Sequence, residues 1–237
     1  LVIDSTKGDF YNWVVKLDIE NLQSDNEKKA QIIDDLVSFA IKEPTIPLNE
    51  KCKPRIQMSM RCSDYPSALG KERGPKEAKP KIAHLIQYGF EVDVLEVLLY
   101  EIYEYIDKLF IVESQVTHFG SIKKPFVWPK LAKQKRFQRF LDKIVYFNIS
   151  SQMINEYITK ENIKDNIWKN EVAQEHLRFL LFLKWNKENG NYFNDNDIIG
   201  FGDTDEIPSF HNLLLMKKCH IKGTTDIGIW FTHGQKY

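Results

Sequence analysis

The sequence predicts an α/β fold with a mixed, mostly parallel central sheet, and three observations lead there. Residues 82–88 and 108–113 are short, almost continuously apolar runs, the composition of strands covered on both faces. Between them Val92, Leu95, Leu99, Ile102 and Ile106 recur at helical spacing, so strand, helix and strand follow one another as a parallel crossover requires. Farther on, an apolar run from residue 197 leads into Asp203, Asp205 and Glu206, with Pro208 opening a new segment. That pattern puts three carboxylates at the end of a buried strand, where α/β sheets bind ligands.

The first 43 residues read as a peripheral element. Residues 9–22 are mixed, whereas 27–43 places Ile32, Ile33, Leu36, Phe39 and Ala40 on one helical stripe that Ser24 or Asp25 can cap. Pro44, Pro47, Pro54, Pro66, Pro75 and Pro80 punctuate the connection that follows, which should be extended or looped. The expected division is therefore 1–80, a helical extension and Pro/Lys-rich linker, and 81–237, the main domain.

Within that domain the strand at 108–113 ends in Glu113 and Ser114. The stretch 123–139 carries Lys123, Lys124, Lys130, Lys133, Lys135, Arg136 and Arg139 without an acid, and reads as the solvated face of an amphipathic helix whose Leu131, Phe137, Phe140 and Leu141 turn inward. A strand at 143–148, helices at 152–160 and 166–187 and a stop at Asn189-Gly190-Asn191 precede the acidic cluster. Pro208 suits the first turn of a helix running to Cys219, and 225–232 reads as a strand.

The totals exclude several classes. Lys+Arg 33 against Asp+Glu 33 gives no net charge, which argues against a protein working through bulk contact with nucleic acid, and the basic stretch 123–139 is the one feature on that side. No run approaches a membrane span. Cys52, Cys62 and Cys219 are too few and too scattered to predict a disulfide framework, and no C-x-x-C pair suggests zinc. The chain holds one glycosylation-type sequon, Asn148-Ile149-Ser150, which matters in a secretory compartment. Its first residue is Leu, consistent with an N-terminal segment having been removed.

Asp203 and Asp205 stand one residue apart, so on extended backbone both point to one side. Like-directed carboxylates repel unless a cation lies between them, and Mn²⁺ or Mg²⁺ bound to phosphate oxygens meets that need. The alternative is a strand-end loop whose acids cap the next helix.

The run 90–102, Ile106-Asp107 and Phe110-Ile111-Val112-Glu113-Ser114, followed by Thr117, Phe119, Gly120, Lys124 and Pro125, resembles the opening of glycosyltransferase family 17. Trp168 and Glu171, then Asp197-Ile198-Ile199 leading to Asp203-Thr204-Asp205-Glu206-Ile207-Pro208-Ser209, are similar to that family's second hallmark, and the likeness covers roughly 82–235. The resemblance implies an A-type nucleotide-diphospho-sugar transferase sandwich that uses UDP-GlcNAc as donor, a divalent cation, and a glycan or glycoprotein acceptor, as in the transfer of bisecting GlcNAc to β-1,4-linked mannose. It implies that Asp203 and Asp205 hold the metal and through it the donor diphosphate, and that Glu113 and Ser114 lie near the nucleotide. A Golgi or secretory lumen is implied for a eukaryotic member that has lost its anchor, and the cytoplasm otherwise.

The chain departs from the family pattern at Leu98 and Glu175, where arginines are usual, with Arg178 offset, and at Gly200 and Gly202, where bulky residues are usual. Only 28 residues follow Ser209, so the acceptor-binding half is expected to be truncated. The general base is accordingly unassigned, with Asp226 a candidate by elimination and otherwise a turn acid. These departures motivate the rival reading, a non-catalytic nucleotide-sugar or glycan-binding protein derived from such an enzyme.

Overall fold

A computed structural model describes residues 31, 34, 35, 38, 61–66, 68–118, 124–166 and 168–222. The readings at 9–22, at 225–232 and at Asp226 lie outside the described residues. The chain forms two compact units, 1–39 and 40–237. In the first, Gln31, Asp34, Asp35 and Ser38 are helical and exposed, and Gln31 Nε2 donates to Asp35 Oδ1 at 2.9 Å, while the apolar stripe Ile32, Ile33, Leu36, Phe39 and Ala40 and the caps Ser24 and Asp25 lie outside the described residues.

The second unit contains, in order, β1 (Leu69–Glu72), β2 (Ile82–Tyr88), α1 (Val92–Ile102), β3 (Lys108–Ser114), the single turns α2 (Trp128–Leu131) and α3 (Lys135–Gln138), β4 (Ile144–Ile149), α4 (Ser151–Lys160), α5 (Lys169–Glu188), β5 (Ile198–Asp203), α6 (Phe210–Lys218) and β6 (Cys219–Ile221). Strands β4, β3, β2 and β5 form one sheet in that spatial order, and every pairing in it is parallel.

Alternation along the strands sends two apolar rows to opposite faces. Ala83, Leu85 and Phe110 meet Phe182 and Phe193 on the α5 side, and beside them Val112, Ile149, Ile154, Ala173 and Leu177 join α4 and α5 to the sheet. Phe110 sits amid Phe147, Phe182, Trp185 and Phe193 with ring centroids 5.0–6.3 Å apart. The other row, Ile82, Ile86, Tyr88, Leu109 and Ile111, is buried just as fully. Covering on both faces is why β2 and β3 read as unbroken apolar runs.

Two expectations change. The basic stretch is not one amphipathic helix. Gln134 is extended between α2 and α3, and the break lets Lys124 turn in toward Glu113 and Arg136 toward Glu96, while Val127, Trp128, Leu131, Phe137 and Phe140 are all buried. A straight helix has no face that meets all of these demands. The cysteines, too, pair where spacing gave no hint. Cys62 and Cys219 form a disulfide across 157 residues, beside the antiparallel pairing of β1 with β6. Leu69, Leu215 and the two cysteines make a small core there, so part of the Pro-rich connection is extended as expected and fastened to the end of α6. Closing a loop of that length restricts the unfolded chain by about 5 kcal/mol in the chain-entropy limit.

His84 is a buried titratable group of the central strand. Its register partner is Gly200, where a Cβ would stand 2.8 Å from His84 Nδ1, so glycine is what lets the ring approach β5. Nε2 is buried and has no hydrogen-bond partner among the described residues. Burial, with a smaller contribution from the Arg178 charge, lowers the imidazole from 6.5 to about 4. Since the folded state binds this proton more weakly than the unfolded state, the contribution is complete above pH 6.5 and is lost as pH falls toward 4. Chemical denaturation at pH 7 and near pH 4 should show wild type losing up to roughly 3 kcal/mol more than His84→Leu. Equal losses would contradict a neutral buried imidazole.

Candidate active site

Strand order places the site. From β2 the chain builds outward through β3 to β4, and β5 then returns to the opposite side of β2, so the order reverses between β2 and β5. Ligands of open parallel sheets bind outside the carboxyl ends of the strands at such a reversal. Asp203, the last residue of β5, pairs in register with Gln87 at this point.

Thr204 turns inward. It is 2% exposed, and its Oγ1 donates to the Gln87 carbonyl at 2.8 Å, fastening the end of β5 to the end of β2. Its two neighbours, Asp203 and Asp205, are exposed. The turn closes on itself, with Glu206 N donating to Asp203 O and Ile207 N to Asp205 O, each at 3.1 Å. Glu206 Oε2 accepts from the Asp203 amide at 3.1 Å. A Cβ at Gly202 would lie 2.8 Å from that same oxygen, so glycine leaves the room that Glu206 occupies. The cap of α6 is Ser209, whose Oγ accepts from Asn212 N at 3.3 Å. Helix capping is thereby accounted for without Asp203 or Glu206.

Behind the acids lies a buried cation. Arg178 of α5 is 7% exposed, its Nη1 donates to the Gly202 carbonyl at 2.8 Å, and its guanidinium sits 5.6 Å from the Phe201 ring centre. Burial lowers its pKa, and the charges of Asp203, Glu175 and Glu206 work the other way. Sequence reading noted Arg178 only as a displaced family arginine, and the helical turn separating it from Glu175 gave no sign that it reaches across to β5.

Glu113 and Ser114 are not part of the acidic cluster. They end β3, which is separated from β5 by β2, roughly 10 Å at ordinary strand spacing. The Glu113 carboxylate is fully buried and accepts from Val127 N at 2.6 Å, Trp128 N at 3.1 Å, Tyr146 Oη at 3.1 Å and Lys124 Nζ at 3.5 Å. Burial raises the Tyr146 phenol and lowers the Lys124 ammonium, with Glu113 reinforcing the first effect and opposing the second. Ser114 Oγ accepts from Val116 N at 3.2 Å. Trp168 is the half-exposed N-cap residue of α5, with Glu171 in its first turn.

The donor set fits a hard cation shared with a phosphate ligand. Among the described residues no group of three His, Cys, Asp or Glu side chains is arranged to hold a metal by itself. Two exposed carboxylates at the mouth of the sheet are the protein's share when substrate phosphates and water complete the shell, the usual arrangement for Mg²⁺ at phosphate sites.

Exposed acids at the order reversal of a parallel α/β sheet stand where such sheets bind their ligands. The model of glycosyltransferase family 17 matches residues 53–227, most of the chain, and the chain belongs to that family of glycosyltransferases, which act between a sugar donor and an acceptor. No curated protein and no solved structure matches it.

Replacing Arg178 by Met should cost about 1–3 kcal/mol in chemical denaturation, because the Gly202 carbonyl loses its charged donor and the acids lose their nearest buried cation. Arg178→Lys should recover part of the loss. A change below about 0.5 kcal/mol in the Met variant, the scatter of an ordinary surface substitution, would show that the contact carries no weight.

Proposed function

We propose that this chain transfers N-acetylglucosamine from UDP-GlcNAc to a glycan or glycoprotein acceptor, with inversion, as a metal-dependent enzyme of the β-1,4-mannosyl-glycoprotein 4-β-N-acetylglucosaminyltransferase kind. The observation that carries this reading is the pair of exposed acids, Asp203 and Asp205, held on either side of an anchored Thr204 where the strand order of a family 17 chain reverses. Asp203 and Asp205 are the residues that would hold Mn²⁺ or Mg²⁺. When bound, the cation supplies charge neutralisation for the departing nucleoside diphosphate.

The chain's own residues do the positioning. Thr204 and the Asp203–Glu206 backbone contacts set the angle at which the two carboxylates leave the sheet, and the Arg178 charge offsets those of Asp203 and Glu206. Glu113 and Ser114 border the nucleotide from the β3 side, Glu113 by holding the main chain at Val127 and Trp128 in place. The acceptor hydroxyl needs a carboxylate to take its proton. Asp226 is the candidate read from the sequence, outside the described residues. The Cys62–Cys219 disulfide favours an oxidising compartment such as the secretory lumen.

A second reading, binding of a nucleotide sugar or glycan without transfer, has its own support. Leu98, standing where the family carries arginine, is fully buried in α1 and has no polar function to offer.

Calorimetric titration of UDP in the presence of Mn²⁺ tests the site. Wild type should bind, and Asp203→Ala and Asp205→Ala should each weaken binding at least tenfold, about 1.4 kcal/mol. Unchanged affinity in both variants would remove the assignment. Incubation with labelled UDP-GlcNAc and a glycan panel then separates the two readings, since product requires transfer and donor binding without turnover favours the binding protein.

A further inference from the structure

The sequon at 148–150 is absorbed by none of the chemistry above, and the fold gives it a definite setting. Asn148 lies at the carboxyl end of β4, the outer strand of the four-stranded sheet on the side away from β5. Its backbone is fixed in register opposite Glu113, and the residue itself is exposed. Its neighbours point elsewhere: Phe147 packs into the core beside α5, Tyr146 reaches Glu113, and Ile149 is fully buried. Among the described residues nothing hydrogen-bonds to the Asn148 carboxamide, so the nitrogen on which a glycan would be built is unencumbered.

The third sequon residue is equally well placed. Ser150 caps α4 by accepting from Met153 N at 3.2 Å, so the tripeptide spans a strand end and a helix start with its first side chain outward. An independent observation supplies the compartment. A disulfide joining Cys62 to Cys219 forms and persists in the oxidising lumen through which N-glycosylated chains pass.

We propose that Asn148 is an N-glycan attachment site. The co-reactant is an oligosaccharide linked through N-acetylglucosamine C1 to a lipid pyrophosphate. The C1–phosphate bond breaks, a bond forms from Asn148 Nδ2 to C1, one amide proton is released, and the lipid pyrophosphate departs. The glycan then stands at the end of the sheet's outer strand, one strand from Glu113 and three strands from Asp203, the latter roughly 14 Å at ordinary spacing.

The test directs the full chain into the secretory pathway of a eukaryotic cell with a cleavable leader and maps peptides from both the exported and the retained pools. Digestion with peptide N-glycosidase in ¹⁸O water should lower the apparent mass by one glycan and convert Asn148 to labelled Asp. Asn148→Gln should abolish the shift. Ser150→Thr, which keeps both the acceptor pattern and a capping hydroxyl, should retain it, so a fold defect cannot mimic the result. Recovery of unmodified Asn148 from molecules in which Cys62 and Cys219 are disulfide-bonded would overturn the proposal.

Discussion

The hydrogen bond from Thr204 Oγ1 to the Gln87 carbonyl ties the last turn of β5 to the last turn of β2, and the geometry of the acidic cluster follows from it. Such a bond contributes only about 1 kcal/mol to stability. Its importance is directional. With Thr204 pinned inward at the point where the strand order reverses, the residues on either side are presented outward, away from the packed layers on both faces of the sheet. The charge of Asp203 is offset from within by Arg178, which bonds to the carbonyl just before it, and Glu206 folds back onto the Asp203 amide.

Close approach is the second constraint. The two glycines of β5 depart from the bulky residues expected in this strand, and each has a specific neighbour in the space a side chain would need: the His84 ring at Gly200 and the Glu206 carboxylate at Gly202. The departure therefore accompanies a polar group beside each glycine. A histidine inside the sheet and a carboxylate folded against its end occupy room that a family member with bulky residues there would fill with hydrocarbon.

Much of this was legible in the chain. Strands β2 and β3 announced themselves as continuous apolar runs because both of their faces are covered, and α1 and α5 through the spacing of their apolar residues. The position of the acids at a strand end followed from the apolar run before Asp203 and the proline at 208, but the strand expected to be buried is an edge strand, half-buried over 198–200 with Phe201 exposed. What stayed hidden depends on distant pairs. No spacing rule links Cys62 to Cys219, or shows that Arg178 reaches the Gly202 carbonyl, because these contacts exist only once β1 meets β6 and α5 lies against the sheet. The basic stretch was legible in part. Lys130, Lys133, Lys135 and Arg139 are exposed, as a solvated face requires, yet Lys124 and Arg136 are buried against Glu113 and Glu96, acids 11 and 40 residues away. Glu113 itself, read as a neighbour of the nucleotide, satisfies its carboxylate with main-chain donors at the start of α2, a partner that only the folded loop provides.

Crystals grown with UDP and Mn²⁺ offer the most direct test of the central claim, that a cation bridges Asp203, Asp205 and a diphosphate outside the carboxyl ends of β2 and β5. Anomalous scattering should place manganese about 2 Å from an oxygen of each carboxylate and from the diphosphate. A nucleotide bound with no metal peak near either acid, or a metal peak elsewhere on the chain, would contradict it.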